Sequence, residues 1–204
     1  PRTGMDHWDT VDISIASAEQ RKGRAGRLGP GLCLRWWDQT SRREKFAPPE
    51  IAESDLAPLV LETALWGSVS PFDLKWLTPP PQAAVDSASE LLRQLSLIDN
   101  RGRITEMGRD AAVLGLHPRL GHMVRIADRK GWLTTAVVTA AIIEEGDFPG
   151  NDDPDFRDRL SAIALWLNGN HGLVQEGLAR RIMDESRRIL RISAGGDNYL
   201  TAND

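Results

Sequence analysis

The chain has 204 residues, which is enough for one large domain or two small ones. Hydrophobic residues make up 41% and charged residues 26%, so the composition predicts a folded protein with a real core and argues against wholesale disorder. The net charge of −4 is not that of a strongly basic nucleic-acid binder, and the single cysteine, Cys33, excludes an internal disulfide framework and a cysteine-based zinc cluster.

The first stretch of the chain predicts part of a sheet. Residues 12–15 alternate as Asp-Ile-Ser-Ile, which predicts a short strand with one buried face. Because a lone short strand is not stable without partners, we expect the rest of its sheet to lie upstream of Pro1, in a longer protein of which this chain is a piece. Residues 32–36 predict a second short strand, and the polar residues 38–47 predict a linker.

A helix is predicted between these two strands. Ser17 and Gln20 have the spacing of a capping box, with Ser17 as the N-cap, and Gly29-Pro30-Gly31 is expected to end the helix. On this helix Gln20, Arg24 and Arg27 lie at i, i+4 and i+7, so they project from one face.

The chemistry of this face has two interpretations. Two guanidiniums one turn apart suit a polyanion with several oxygens, such as a triphosphate. Gly23 and Gly26 each cost about 1 kcal/mol relative to alanine inside a helix, which favours a need for close backbone approach. The alternative is a solvated basic helix end in which Gln20 serves only the capping box, and spacing alone favours this alternative, because basic runs are usually solvated faces.

From Pro48 onward the apolar spacing becomes helical. Helices are predicted from Asp55 to a stop at Trp66-Gly67, and at residues 70–77 and 82–97. A turn at residues 99–102 and a short extended piece at Arg103-Ile104 follow, and Thr105 is expected to cap a further helix to about residue 114. Three helices, a turn, a small strand and a helix are typical of a winged-helix unit.

After Gly115 the pattern predicts a small helical bundle. Its four helical segments are residues 118–129, 132–145, 155–167 and 173–192. The longest apolar run, residues 132–143, is too short to span a bilayer, so we expect no membrane partner. Together with the single cysteine, this favours a cytoplasmic location.

Residues 17–27, Ser-Ala-Glu-Gln-Arg-Lys-Gly-Arg-Ala-Gly-Arg, resemble motif VI of superfamily-two helicases in the form typical of DEAH-box RNA helicases. Pro1-Arg2-Thr3-Gly4 and residues 13–17 resemble the two arms of the hairpin that precedes motif VI in that family. Further matches resemble its winged-helix and helicase-associated domains, and the closest subgroup is the bacterial HrpB type; these matches are residues 47–51, 55–59, 76–81, 91–92, 104–109 and 116–123.

The resemblance implies the C-terminal region of an ATP-dependent RNA helicase, with a mainly α fold. It implies four parts: a remnant of the second RecA-like α/β domain (1–45), a winged-helix domain (46–114), a helical-bundle helicase-associated domain (115–192) and a linker or tail (193–204). Arg24 and Arg27 would contact the γ-phosphate of ATP, with Arg27 as the arginine finger, and Gln20 would contact the phosphate or the attacking water. The implied partners are RNA and the upstream RecA-like domains.

Two motifs that this chemistry needs are absent from the sequence. No Gly-x-x-x-x-Gly-Lys-Ser/Thr phosphate loop is present, and neither is an Asp-Glu-x-His stretch to hold magnesium. Phosphoryl transfer needs both in addition to the arginine finger. ATP and Mg²⁺ are therefore expected as cofactors of the full-length protein only, and this fragment alone is predicted to be inactive.

The remaining candidates are weaker. Arg180, Arg187 and Arg191 can form a stripe on the last helix, either as RNA phosphate contacts or paired with neighbouring acids such as Glu176 and Asp184. No metal site is expected, because His117 and His122 do not share a helix face and a solvated loop explains Asp147, Asp152, Asp153 and Asp155 better than calcium. Core packing is favoured over base stacking for four tryptophans, Trp66, Trp76, Trp132 and Trp166.

Two non-enzymatic functions compete with the helicase interpretation. A winged-helix DNA-binding regulator would read DNA with residues 82–97, but that helix carries Asp86 and Glu90 against a single Arg93, which is a poor fit to phosphates. A protein-interaction scaffold would not need Gln20, Arg24 and Arg27 on one face.

Overall fold

The computed structural model describes residues 10–38, 40–146 and 155–194. All regular elements in these ranges are helical, and their one β feature is an isolated antiparallel bridge between Ile98 and Ile104. The chain divides into two compact units, residues 1–55 with 76–81, and residues 56–75 with 82–204. The α-helices are α1 (Ile15–Ala25), α2 (Ala57–Leu65), α3 (Gln82–Gln94), α4 (Glu106–Ala112), α5 (Pro118–Arg129), α6 (Leu133–Glu145), α7 (Phe156–Leu167) and α8 (Glu176–Ser193).

The first unit contains neither of its two predicted strands in its described part. Ile15 begins α1 instead of ending a strand, and residues 32–36 form no ladder. A strand needs a ladder of hydrogen bonds to a neighbouring strand, and the described residues of this unit form no such ladder. The start of α1 is instead tied to residues 44 and 45: the Ile15 N–H donates to the Glu44 carbonyl at 2.9 Å, and the Ala16 N–H to the Lys45 carbonyl at 3.0 Å.

The second unit begins with three helices that the apolar spacing predicts correctly. Thr105 caps α4, because its hydroxyl accepts a hydrogen bond from the Gly108 N–H at 3.0 Å. The predicted turn is present too, with Gly102 at φ +78° and its N–H on the Asp99 carbonyl. The predicted helix at residues 70–77 is wrong in extent: only a 3-10 turn, Pro71–Asp73, forms, and Leu74 is already extended.

The bundle that completes the second unit consists of α5 to α8, which confirms all four predicted helical segments. Helix α6 contributes to both apolar clusters of this bundle. The first cluster joins it to α5 and the end of α8, and the second joins it to α7 and the start of α8. The most deeply buried side chains each contribute about 1.5–3 kcal/mol by leaving water; they include Leu114, Val124, Val137, Ile142, Ile163, Ile182 and Ile189.

The core assignment of the tryptophans is wrong for two of the four. Trp66 is 75% exposed and Trp132 is 65% exposed, while Trp76 and Trp166 are half-buried. Both exposed residues occupy caps, Trp66 at the end of α2 and Trp132 before α6. A residue at a helix boundary has helical neighbours on one side only, so the apolar spacing of the helix does not ensure that its side chain is covered.

Some expectations fall outside the described residues: the hairpin arm at residues 1–4, the acidic residues Asp147, Asp152 and Asp153, and the tail after residue 194. Among the described helices, none is long and apolar enough to cross a membrane.

Gly108 of α4 packs so closely against the preceding chain that adding one methyl group there should strongly destabilise the fold. A Cβ at Gly108 would overlap the Leu97 carbonyl and lie 2.9 Å from Cγ1 of Ile104. We expect Gly108→Ala to lower the free energy of unfolding by about 1–3 kcal/mol, measured by urea unfolding. Gly177→Ala in α8 is the matched control, because a Cβ there meets nothing within 4 Å. Equal effects of the two substitutions would contradict this packing.

Candidate functional site

Helix α1 carries the residues that the sequence singles out, but it begins earlier than predicted. Its N-cap is Ser14, whose buried hydroxyl accepts a hydrogen bond from the Ser17 N–H at 3.2 Å and donates one to Ser17 Oγ at 3.0 Å. The predicted capping box of Ser17 and Gln20 is therefore wrong. Ser17 has a second serine three residues before it, and the earlier hydroxyl takes the capping role. Gln20 is consequently released from any part in the cap.

The helix also ends earlier than predicted, at Ala25 instead of near Gly29. Gly26 is the C-cap, and the Arg27 N–H bonds to the Arg24 carbonyl at 3.4 Å in the turn that follows. After that turn the chain folds back so closely that a Cβ at Gly31 would overlap the Ala25 carbonyl. The glycine interpretation is thus corrected for Gly26, which ends the helix and is not inside it.

The shared helix face therefore holds Gln20 and Arg24, while Arg27 lies just beyond the helix end. All three side chains are exposed, and none of them makes an ion pair or hydrogen bond with the described residues. A Cβ at Gly23, one residue before Arg24, would meet no atom within 4 Å. The helix end is thus open to a ligand along its backbone as well as at its guanidiniums.

Glu19, the acidic residue of α1, is paired with a residue outside the helix. Glu19 makes an ion pair and hydrogen bond with Arg35, and Lys22 lies 3.6 Å from its other oxygen. The Arg35 guanidinium holds the pKa of the Glu19 carboxyl below its usual range, so this acid stays ionised and engaged. Arg24 and Arg27 consequently keep their donors for another partner, and a guanidinium fork matches the oxygens of phosphate or carboxylate groups.

The arginine stripe on α8 is present, and part of it is paired. Arg180, Arg187 and Arg191 are all exposed on the side of α8 opposite its buried residues. Arg180 lies 2.5 Å from Glu176, and Arg187 lies 2.8 Å from Asp184, so the paired alternative holds for these two. Arg191 has no ion pair among the described residues, which leaves it as the more available cation of the stripe.

Two other arginines of α8 have structural roles that the sequence does not reveal. Arg181 forms an ion pair at 2.7 Å with Glu145, at the end of α6. Arg188 bonds to Glu185 and also donates from Nη1 to the Leu114 carbonyl at 2.9 Å. Glu145 and Leu114 lie far from these arginines in the chain, so helical spacing carries no signal for these two contacts.

The two histidines of α5 serve its structure. His117 is the N-cap, and its Nδ1 accepts a hydrogen bond from the Arg119 N–H at 3.3 Å. Partial burial lowers the pKa of His122, which keeps its ring neutral in the fold. Within residues 10–38, 40–146 and 155–194, no group of three or more histidine, cysteine or acidic side chains could hold a metal ion.

Comparison with curated proteins identifies helicases. The chain is 39% identical to the ATP-dependent RNA helicase HrpB of Escherichia coli strain K12, over 100% of this chain and 27% of that protein. It is 33% identical to the probable ATP-dependent RNA helicase DHR1 of Saccharomyces cerevisiae, over 71% of this chain and 12% of that protein. Over 61% of this chain and 11% of that protein, it is 34% identical to the pre-mRNA-splicing factor ATP-dependent RNA helicase prp22 of Schizosaccharomyces pombe.

Solved structures agree with these relatives. A crystal structure of the E. coli DExH-box NTPase HrpB matches with a TM-score of 0.66 and 34% identity, covering 93% of this chain and 22% of that chain. A crystal structure of the E. coli DEAH/RHA helicase HrpB matches with a TM-score of 0.67 and 32% identity, covering 90% of this chain and 24% of that chain. No family model matches the chain. The chain spans about a quarter or less of the length of these relatives.

The position of the α1 cap predicts that Ser14 and Ser17 contribute differently to the stability of the start of the helix. Ser14→Ala removes the acceptor of the Ser17 N–H, so we expect it to weaken the start of α1 by about 0.5–2 kcal/mol. Hydrogen exchange of peptides that cover residues 15–25 would measure the faster opening. Ser17→Ala is the matched control and should have the smaller effect, and the reverse order would restore the capping box at Ser17.

Proposed function

Because this chain is homologous over its whole length to DEAH-box ATP-dependent RNA helicases, we propose that it forms the C-terminal region of such an enzyme. The observation that carries the proposal is the motif VI string at residues 17–27, which spans α1 and the turn after it. Its Arg24 and Arg27 are exposed and have no acidic partners among the described residues. This combination is unlike the arginines of α8, most of which are paired within the chain.

In this proposal α1 supplies the positive charge for a nucleotide bound between two RecA-like domains. Arg24 and Arg27 contact the γ-phosphate, and Arg27 acts as the arginine finger. An arginine remains charged at all relevant pH values, so it stabilises developing negative charge without giving up a proton. Gln20, which is free of any capping duty, contacts the phosphate or the attacking water.

The residues present fit the phosphate part of ATP and do not fit its metal. Two unpaired guanidiniums beside the open backbone at Gly23 can approach an anion, whereas the described residues offer no cluster for Mg²⁺. ATP, when bound with Mg²⁺, supplies the phosphoryl group whose transfer to water releases the free energy for movement along RNA. The phosphate loop and the magnesium ligands belong, in this proposal, to the upstream RecA-like domains.

The domain organisation is part of the same proposal. Residues 1–45 are the remnant of the second RecA-like domain, 46–114 a winged-helix domain, 115–192 the helicase-associated domain and 193–204 a linker or tail. The order of α2, α3, the Ile98–Ile104 bridge and α4 supports the winged helix, and the four helices α5 to α8 support the bundle. A cytoplasmic location stays a prediction.

RNA is the proposed partner of the bundle. The α8 stripe lines part of the RNA channel, and Arg191 contributes most because its charge is not neutralised by a described neighbour. Arg180 and Arg187 exchange their acidic partners for phosphate on binding, which makes their net contribution smaller.

The non-enzymatic regulator is the second candidate, and the contacts of α3 count against it. Arg93 lies 3.2 Å from Glu90, and Gln82 donates to Asp86 at 2.9 Å. Arg93 and Glu90 thus neutralise each other and the charge of Asp86 remains, so α3 presents a poor surface to the phosphates of a DNA groove.

Substitution of the proposed finger tests the enzymatic role. In the complete helicase we expect Arg27→Ala to lower ATP turnover by about 10³-fold or more. Arg42→Ala is the control, because Arg42 is also an exposed arginine of the first unit but lies outside motif VI. The 204-residue chain alone should show no ATP turnover. If it does hydrolyse ATP and Arg27→Ala abolishes that activity, the proposal that the phosphate loop and magnesium ligands lie upstream is wrong.

The salt dependence of RNA binding tests the stripe. Each phosphate contact to a single strand adds about −0.7 to the slope of log affinity against log salt. We expect Arg191→Ala to make that slope shallower by about this amount for a labelled oligonucleotide followed by fluorescence anisotropy. Arg157→Ala is the control, since Arg157 is exposed on α7 and bound to Asp155. Unchanged slopes in both variants would remove the stripe from the RNA-binding residues.

A further inference from the structure

A groove in the second unit is lined by residues that the proposed function does not use. It has a volume of about 520 Å³ and lies between the end of α2, the turn at residues 99–104 and the start of α4. Its apolar lining consists of Trp66 and Val69 together with Ala64, Leu65 and Ile104. Arg103 and Arg109 are its cations. The indole of Trp66 is one of the two tryptophan side chains that were expected in the core and are exposed.

The end of α2 accounts for the position of Trp66. The helix buries Val60, Leu61 and Ala64 against the core, whereas Trp66 follows the last helical residue as the C-cap. Gly67 then adopts φ +94°, which turns the chain away from the helix. The indole is left 75% exposed at the edge of the groove, although burying it would be favourable.

The two arginines of the groove differ in whether they are paired with an acid. Asp99 accepts hydrogen bonds from the backbone N–H groups of Arg101 and Arg103 and from Arg103 Nε at 2.9 Å, so the Arg103 guanidinium is held in place. These hydrogen bonds, above all that of the Arg103 backbone, hold the pKa of Asp99 below its usual range. Asp99 is the acid among the lining residues, and its charge is balanced by Arg103.

Arg109 supplies the uncompensated charge. It is exposed on α4 and has no ion pair among the described residues. The lining therefore combines an accessible aromatic face with a net positive charge. A base and its neighbouring phosphate need these two features together, since any base can stack on an indole and a guanidinium binds phosphate oxygens.

We propose that this groove binds single-stranded nucleic acid, with one base stacked on Trp66 and the adjacent phosphates at Arg103 and Arg109. The site shares no residue with the α8 stripe or with motif VI. A protein partner is the less favoured occupant, because the apolar part of the lining is small for a stable protein interface.

Fluorescence anisotropy of the 204-residue chain with labelled oligouridylate and oligothymidylate, at low salt, measures the site directly. We expect Trp66→Ala to weaken binding about 10-fold and Trp66→Phe to retain most of it, because a phenyl ring still stacks. Arg109→Gln should make the salt slope shallower by about 0.7. A preference for oligouridylate would identify RNA as the ligand, and equal binding would extend the site to DNA.

Trp132→Ala is the matched control, since Trp132 is also an exposed cap residue of the second unit but lies outside the groove. Circular dichroism establishes that each variant is folded. Crosslinking with a 4-thiouridine oligonucleotide should map to peptides with residues 64–69 or 103–109. Crosslinks confined to α8, equal losses in the two tryptophan variants, or no oligonucleotide binding at all would each overturn the proposal. If Arg191→Ala weakens binding while the groove crosslink is retained, the α8 stripe also contributes to binding and the groove proposal stands.

Discussion

The second unit depends on the burial of α6. This helix has an apolar sequence on nearly all sides, and its residues Ala136, Val137, Ala140, Ala141 and Ile142 are buried. A helix of that kind is stable only when other helices cover it, so α5, α7 and α8 pack around it. The apolar face of α8 must turn toward α6, and its arginines must therefore face outward. The proposed RNA stripe is in this sense a consequence of covering α6.

Eight of the described arginines illustrate three kinds of surroundings. Arg188 and Arg181 bond to other elements and hold the bundle together. Arg180 and Arg187 pair with acids of their own helix, which stabilises it slightly. Arg24, Arg27, Arg109 and Arg191 have no ion pair among the described residues. A desolvated anion gains most from the last group, because no existing pair has to be broken first.

The sequence predicts the second unit well and the first unit poorly, for a physical reason. Helices α2 to α8 form from local spacing and local caps, such as Thr105 and Asp155, so a single sequence contains the necessary information. Strands need partners, and a pattern such as that of residues 12–15 cannot show whether partners are present. The choice between Ser14 and Ser17 as the cap was also undecidable from spacing, because each precedes a helical residue by a suitable interval.

The same distinction applies to the candidate sites. Gln20, Arg24 and Arg27 could be named from the motif, but the helix end at Ala25, which separates Arg27 from the other two, depends on the fold-back of Gly31. Trp66 and Trp132 follow apolar helical spacing and still lie in the open, since spacing stops having meaning at a cap. The ion pair of Arg181 with Glu145 and the hydrogen bond of Arg188 to the Leu114 carbonyl required the tertiary structure.

The bond from Arg188 to the Leu114 carbonyl has a consequence for the order in which the protein is made. It joins residues 74 positions apart, and it fixes the junction between α4 and α5, where Gly115 adopts φ +65°. During synthesis α4 and α5 leave the ribosome well before α8, so the hydrogen bond that fixes this junction cannot form until the last helix has emerged. The last helix of the bundle thus sets the geometry of a junction that is synthesised much earlier. A chain that is released before α8 is complete lacks the hydrogen bond that fixes this junction.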